Sequence, residues 1–233
     1  MKPRADVLNR LLAGLSLAER ARLAPFLKTI SLKQGVVLNE PGDAMENVIF
    51  PHSGMVSLLA IMKDGSAVET ATIGREGVVG AMAGLGLHTT LTRSVVQTPL
   101  VASQITAARF HKAVESSREL RDVIVRYNDA LLGQVQITAA CNAMHPIQAR
   151  LARWILQTSD RVDGEIIPLT QQLLSEMLGV RRSSVSEVAT HLQAAGLIRY
   201  TRGSIKITDR EGLEKAACEC YMTIRAQHER VLR

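Results

Sequence analysis

The sequence predicts an α+β chain: a β-rich first half, one long helix, and a small helical unit at the C-terminal end. Three observations carry this. From Ile30 to about Ala107, short β-branched runs are punctuated by Gly35, Pro41-Gly42, Ser53-Gly54, Asp64-Gly65 and Gly74, the texture of a small antiparallel barrel or sandwich. From Leu120 to Asn142 there is no proline and only Gly133 among the glycines, and apolar or small side chains recur at helical spacing. From Leu169 to Ile207 the pattern is a helix, a tight turn, a second helix and a basic hairpin.

At the N-terminal end, Leu15 to Leu27 has apolar residues at helical spacing, with Ser16 and Glu19 matching a capping box. Asn47 to Phe50 and Gly54 to Ala60 are predicted strands, and Lys63-Asp64-Gly65-Ser66 is the turn before Val68 to Ala71. Gly77 to Leu87, glycine-rich and apolar, is predicted as a short helix and loop packed near the barrel. In the long helix, Leu120, Ile124, Tyr127, Leu131, Gln134, Thr138 and Cys141 alternate in steps of four and three. Such a seam pairs with a copy of itself, the polar Gln134 and Thr138 fixing register. The other reading of the same spacing is an amphipathic helix packed on its own barrel. Pro146 follows, then a helix from Ile147 to Thr158 and a turn from Asp160 to Gly164. These breaks predict three parts: 1–116, the dimerisation helix 117–144, and 145–233.

In the last part, Thr170 caps a helix carrying Leu173, Leu174, Met177 and Leu178, and Gly179 ends it by taking a left-handed conformation. Val185, Val188, Ala189 and Leu192 form the buried stripe of the next helix, which leaves Arg182, Ser183, Ser186, Glu187 and Thr190 outward. The stretch from Ile198 to Ile207 alternates around a glycine turn. This is the pattern of a winged helix-turn-helix, whose second helix sets its N-terminal residues against base edges of double-stranded DNA. Arg182 is the leading base reader, because a guanidinium bonds guanine in bidentate fashion. Arg181, Arg182, Arg199, Arg202 and Lys206 against Glu187 alone suit phosphate contacts. His191, on the same helix, is a further phosphate candidate.

Bulk charge supports an anionic partner without choosing one. The chain has 233 residues and a formal net charge of +6. The charge is shared, with 15 basic and 12 acidic residues before Met144 and 13 and 10 from there on, so the case for DNA rests on local arrangement. No signal segment or membrane span is apparent, which predicts a cytoplasmic protein with no membrane partner. Three cysteines, Cys141, Cys218 and Cys220, are an odd count, and reduced thiols are expected. Cys218 and Cys220 are placed on one helix, where residues two apart diverge, so no metal site is predicted. Buried packing and redox sensing are the two readings left for them. The histidines lack metal-ligand spacing, and no glycine-rich phosphate loop, nucleophile elbow or H-E-x-x-H pattern occurs, so an enzyme is not predicted.

Helix, barrel, long helix and winged helix in this order resemble the family of the cyclic-AMP receptor protein and the fumarate-nitrate regulator, over roughly residues 15–210. The resemblance is most specific from Leu169 to Val185 and from Leu192 to Ile198. It implies a cyclic-nucleotide-binding-like β-barrel, or jelly roll, ahead of the DNA-binding unit, and a homodimer that binds palindromic promoter sites and contacts RNA polymerase. It also places Arg182 on the family's base-reading arginine, with Ser183 and Glu187 at neighbouring base-facing positions, where both depart from the best-known pattern. Thr170, Gln171 and Ser184 fall where the family touches phosphates, and Arg202 falls in the wing.

The family's cyclic AMP pocket has a glycine-glutamate pair followed by an arginine with serine or threonine. The nearest counterparts are Gly74-Arg75-Glu76-Gly77 and Arg93-Ser94, with a longer intervening stretch and Arg75 interposed. This departure points away from cyclic AMP and leaves Glu76 as a structural residue or as part of a site for a different nucleotide. Gln134 and Thr138 either close such a pocket or pair across the dimer seam. The oxygen-sensing branch's N-terminal cluster cysteines are absent, since no cysteine precedes Cys141. No cofactor follows from the sequence beyond a nucleotide effector. The alternative is an effector-independent or cysteine-redox-controlled regulator with a purely structural barrel.

Overall fold

The computed structural model describes residues 9–201 and 203–232. The N-terminal helix is two helices, α1 (Arg10–Gly14) and α2 (Leu17–Leu23), because Leu15 between them is extended. Ser16 caps α2 by accepting from the Glu19 backbone N–H, one half of the expected capping box; the other half is not made, because the Ser16 backbone N–H donates to Glu119 Oε1 at 2.6 Å and the Glu19 carboxylate pairs with Arg22. Asn9 caps α1, and its side-chain amide also donates to the carbonyls of Pro51 (3.0 Å) and Gly77 (2.7 Å), which pins the helix to the sheet.

Five antiparallel strands follow: β1 (Lys28–Leu32), β2 (Val37–Asn39), β3 (Asn47–Ile61), β4 (Ala67–Ile73) and β5 (Arg93–Thr106). Their order is β1-β5-β3-β4, with β2 also paired to β5. Among the described residues the ladder does not close into a complete barrel; β1 and β4 remain its edges, and the jelly-roll architecture is an open, folded sheet. The two strands predicted on either side of Ser53-Gly54 are one 15-residue strand. Glycine there does not end the strand but bends it: Gly54 has φ +86°, the register against β5 shifts around it, and a Cβ at this position would stand 2.2 Å from the Pro99 carbonyl oxygen. The Gly77 to Leu87 segment holds a short 3-10 helix, Ala81–Leu85.

Helix α3 (Ala107–Glu115) leads to α4 (Arg118–Met144), capped by Ser117, whose hydroxyl accepts from the Leu120 N–H. The stripe read as a dimer seam faces inward in this chain. Leu120, Ile124, Tyr127, Gln134, Thr138 and Cys141 are buried and Leu131 is half-buried. Leu120, Ile124, Tyr127 and Leu131 pack with Leu11, Leu12, Phe50 and Phe110, and with Val231 of the C-terminal helix α9 (Cys220–Val231), whereas Cys141 packs with Cys218 and Cys220. Within this chain the stripe is thus covered by the chain's own surfaces, the second of the two readings of that spacing. Steps of four and three mark the buried face of a helix but do not say which surface buries it. The outward face of α4 carries Val125 and Leu132, 49% and 54% exposed.

Helix α5 (Ile147–Ser159) is followed by β6 (Ile166–Pro168), α6 (Gln171–Leu178), α7 (Arg182–Ala194), β7 (Ile198–Thr201), β8 (Ser204–Ile207) and α8 (Arg210–Ala216). The predicted hairpin gains a third strand, in the order β6-β8-β7. A second core joins the two halves of the chain: Met55 and Leu59 of β3 pack with Trp154 and Ile155 of α5, Leu174 of α6 and Val185 and Leu192 of α7. Among the described residues no helix is long and apolar enough to cross a membrane.

Candidate nucleic-acid interface and effector site

The helix-turn-helix is built locally. Thr170 accepts from the Leu173 N–H, α6 runs to Leu178, and Gly179 leaves in the left-handed region at φ 62°. Val180 then donates its backbone N–H to the Ser175 carbonyl at 3.0 Å, closing the turn. Val185, Ala189 and Leu192 bury one stripe of α7. Arg181, Arg182, Ser183, Glu187 and His191 stand on its exposed side, with Thr170 exposed beside them and Gln171, Ser184 and Ser186 half-buried. Arg182 Nε donates to Gln171 Oε1 at 3.4 Å, a weak tie that aligns the guanidinium with the entry of α6. The Ser186 hydroxyl donates to the Arg182 carbonyl at 3.1 Å, so in this conformation it turns back onto the helix. Arg199 is exposed on β7, while Lys206 on β8 is ion-paired with Glu165. Arg202 lies outside the described residues. The surface is thus one exposed, mostly basic helix face with hydroxyl donors and a single carboxylate. That chemistry suits base edges flanked by phosphates.

The residues read as an effector pocket divide into two places. Arg93 pairs with Glu40 at 2.9 Å, partly exposed. Buried Ser94 lies opposite Leu58 and Asn39. Register sets Arg93 across from Leu59, and Leu59 across from Glu69. Glu76 lies beyond Ile73, which is itself four steps, roughly 13 Å, further along β4. Glu76 and Arg93 therefore do not converge, contrary to the expected pocket.

Glu76 instead meets a residue that the sequence reading passed over. Arg161, in the turn after α5, approaches it with Nη2 at 2.6 Å and Nε at 2.8 Å, both partners being buried. Burial alone would raise the Glu76 carboxyl; the Arg161 charge overrides it and holds the group at about 2. Arg161 Nη1 donates to Thr72 Oγ1 at 2.9 Å, and Gln134 Nε2 donates to the same oxygen at 3.1 Å. Gln134 is thus linked to Glu76 through Thr72 and Arg161, with its own Oε1 buried and unpartnered among the described residues. Thr138 lies one turn further along α4, also buried. His228 of α9 approaches Glu76 at 3.9 Å. Beside this network is a cleft of about 210 Å³ whose lining includes Arg10, Arg75, Arg225 and Glu229.

A second polar contact joins the sheet to α5. Trp154 Nε1 donates to Glu69 Oε1 at 2.8 Å, and the Ser57 hydroxyl donates to Oε2 at 2.6 Å. Burial pushes the Glu69 carboxyl up to about 7. Its position was readable in principle: Glu69, Ala71 and Ile73 alternate along the inward side of β4, and a carboxylate on an inward position needs partners. Nothing in sequence spacing pairs Arg161 with Glu76, 85 residues away.

The cysteines differ most from expectation. Cys218 lies in the turn between α8 and α9 rather than in a helix, and Cys220 is the first residue of α9. Both thiols turn toward Cys141 and His145 at the end of α4, and the four ligating atoms lie within 4.8 Å of one another.

Comparison with known proteins accords with this geometry. Residues 29–117 match the cyclic nucleotide-binding domain family and residues 149–216 match the Crp-like helix-turn-helix domain family. No curated protein sequence matches the chain. Among solved structures, the chain is similar to the c-di-GMP-responsive global regulator CLP of Xanthomonas campestris, at 18% identity and a TM-score of 0.66, covering 82% of this chain and 99% of that one. It is similar to FixK2 of Bradyrhizobium japonicum at 14% identity and a TM-score of 0.69, covering 82% and 98%. A Crp/Fnr-family transcriptional regulator of Thermus thermophilus is 22% identical with a TM-score of 0.66, again covering 82% and 98%. With a cyclic nucleotide-binding domain followed by a Crp-like helix-turn-helix on this shared fold, the chain belongs to the Crp/Fnr family of DNA-binding transcription regulators.

Proposed function

We propose that the protein is a homodimeric, sequence-specific regulator that reads palindromic promoter DNA in the cytoplasm, contacts RNA polymerase, and takes a small effector other than cyclic AMP, a nucleotide, in its N-terminal part. The observation that carries the DNA reading is the exposed face of α7. In this reading Arg182, Ser183, Ser186 and Glu187 meet base edges, and Thr170, Gln171, Arg181, Ser184 and His191 meet phosphates. The parts are 1–116 for sensing, 117–144 for dimerisation and 145–233 for DNA. Dimerisation uses the outward face of α4 around Val125 and Leu132, since the inward face is already covered. The c-di-GMP-responsive CLP supports a nucleotide as the effector class by analogy of fold.

The effector signal has a physical route in this reading. Glu76 with Arg161, and Glu69 with Trp154, tie the sheet to α5, and the shared core continues to α6 and α7. A ligand that displaces Arg161 from Glu76 would change how the DNA-binding unit sits on the sheet. A second reading, a structural β-domain without effector, is favoured by one observation: Glu76 and Arg93 are each already paired, with Arg161 and Glu40. Isothermal titration with a nucleotide panel separates the two. Binding by one member supports the sensor; no binding by any member supports the structural domain.

The DNA reading is tested by selecting the bound sequence from random duplexes and titrating wild type and Arg182→Ala against selected and random DNA. Discrimination is expected to relax at one base pair per half-site by about 1–3 kcal/mol. An equal fall on both duplexes refutes base reading by Arg182.

A further inference from the structure

Cys141 occupies the last turn of α4 and His145 caps that helix, four residues on, so both side chains lie on one face; the His145 backbone N–H donates to the Cys141 carbonyl at 3.1 Å and holds the turn. From the other side of the fold come Cys218 and Cys220, 7% and 6% exposed, with Cys141 fully buried. Sγ of Cys141 and Sγ of Cys218 are 3.5 Å apart, and Sγ of Cys220 is 3.7 Å from Nδ1 of His145. A tetrahedral zinc ion, with bonds of about 2.3 Å to sulfur and about 2.0 Å to nitrogen, spaces its ligand atoms about 3.8 Å (sulfur to sulfur) and about 3.5 Å (sulfur to nitrogen). All four ligand atoms lie within 4.8 Å of one another, and these two separations are close to those edges. They exceed the roughly 2.05 Å of a disulfide.

Two independent features point the same way. The other ring nitrogen of His145, Nε2, is 3.3 Å from Glu219 Oε1. A proton on Nε2 shared with that carboxylate leaves the Nδ1 lone pair facing the three sulfurs, the outer-shell arrangement that orients histidine ligands on metals. Three thiolates and one divalent cation would leave the site with one surplus negative charge. Buried Arg150 and Arg153 act electrostatically on Cys141, and the Nε atom of each is buried without a hydrogen-bond partner among the described residues.

We propose that Cys141, His145, Cys218 and Cys220 form a four-coordinate site for one thiophilic divalent cation of the zinc class, which staples the end of α4 to the α8–α9 junction. The helix that leaves the β-domain and the helix that returns along it are then fixed where α5 and the DNA-binding unit begin. All four positions are taken by protein, the closed set of a structural rather than catalytic ion.

The test uses the full-length chain, purified under reducing conditions. Elemental analysis is expected to give one zinc per chain. Cobalt exchanged for it should produce thiolate charge-transfer absorption and the intense visible bands of a tetrahedral site. Cys141→Ser should abolish both. Glu219→Gln, which changes an exposed side chain and should leave the fold intact, should weaken zinc affinity by about 10–100-fold. Chelation should lower the thermal midpoint in wild type and leave that of the serine variant unmoved. The proposal is overturned by failure of the chain to take up zinc or cobalt, by an octahedral cobalt spectrum without thiolate absorption, by zinc content unaffected in both Cys141→Ser and Glu219→Gln, or by a mass two hydrogens low that places a Cys141–Cys218 disulfide in the isolated chain.

Discussion

Replacing Glu69 with glutamine should remove a defined pH dependence from the stability of this protein. Glu69 is 4% exposed, accepts from Trp154 and Ser57, and is held by burial at about 7 against an ordinary value of 4.5. The folded state therefore binds this proton more tightly than the unfolded state. Stability from this group is greatest below the unfolded value, falls as pH rises through 4.5 to 7, and is at its minimum above that window. The difference of about 2.5 units corresponds to about 3 kcal/mol in full, of which about 2.5 kcal/mol falls between pH 5 and pH 8. Glutamine keeps an acceptor for the Trp154 indole and presents an amide donor to the Ser57 oxygen, so the packing is retained while the titration is lost. The assay is urea unfolding at pH 5 and pH 8, followed by the fluorescence of the chain's single tryptophan, which sits on the group being changed. The advantage of Glu69→Gln over wild type should grow by about 2.5 kcal/mol from the lower pH to the higher. Stability curves that stay parallel across that range, within about 0.5 kcal/mol, would refute the account of Glu69 as a carboxyl whose ionisation the fold opposes.

Glu76 carries the opposite sign: held at about 2, it stabilises the fold above its ordinary 4.5 and loses that contribution as pH falls from 4.5 toward 2. Glu76→Gln, by leaving Arg161 buried without its countercharge, should cost about 3–5 kcal/mol at neutral pH and flatten the acid limb measured by circular dichroism. Gly54→Ala places a Cβ 2.2 Å from the Pro99 carbonyl oxygen at a φ of +86°, and a loss of about 3 kcal/mol or more in chemical denaturation is expected; a loss under about 1 kcal/mol would show that the bend in β3 is not tightly held. Leu132→Glu on the outward face of α4 should leave the fold unchanged and shift sedimentation from dimer to monomer, whereas a persisting dimer would move the interface elsewhere.

The helix-turn-helix was legible because its signals are local. Thr170 caps, Gly179 turns left-handed, and the spacing of Val185, Ala189 and Leu192 buries one face of α7, so the opposite face, with Arg182, is known before any tertiary contact is. The placing of Glu76 with Arg93 was not legible at the same level, for a physical reason. Gly74 to Gly77 and Arg93-Ser94 look like a pair in the chain, but strand register carries them to different levels of the sheet. The side chain that meets Glu76 comes from the turn after α5, 85 residues away, with no periodicity to announce it.

By itself, then, the sequence determined the order of elements, the α+β class, the caps and turns, and the outward face of the recognition helix, all set by forces acting within a few residues. The tertiary structure decided what covers each buried stripe. It turned the α4 seam onto its own sheet and α9, paired Glu76 with Arg161 and Glu69 with Trp154, and brought Cys141 and His145 to Cys218 and Cys220 from distant parts of the chain. Burial and ion pairing depend on which surfaces meet in space, and helical spacing is the same whichever neighbour completes it.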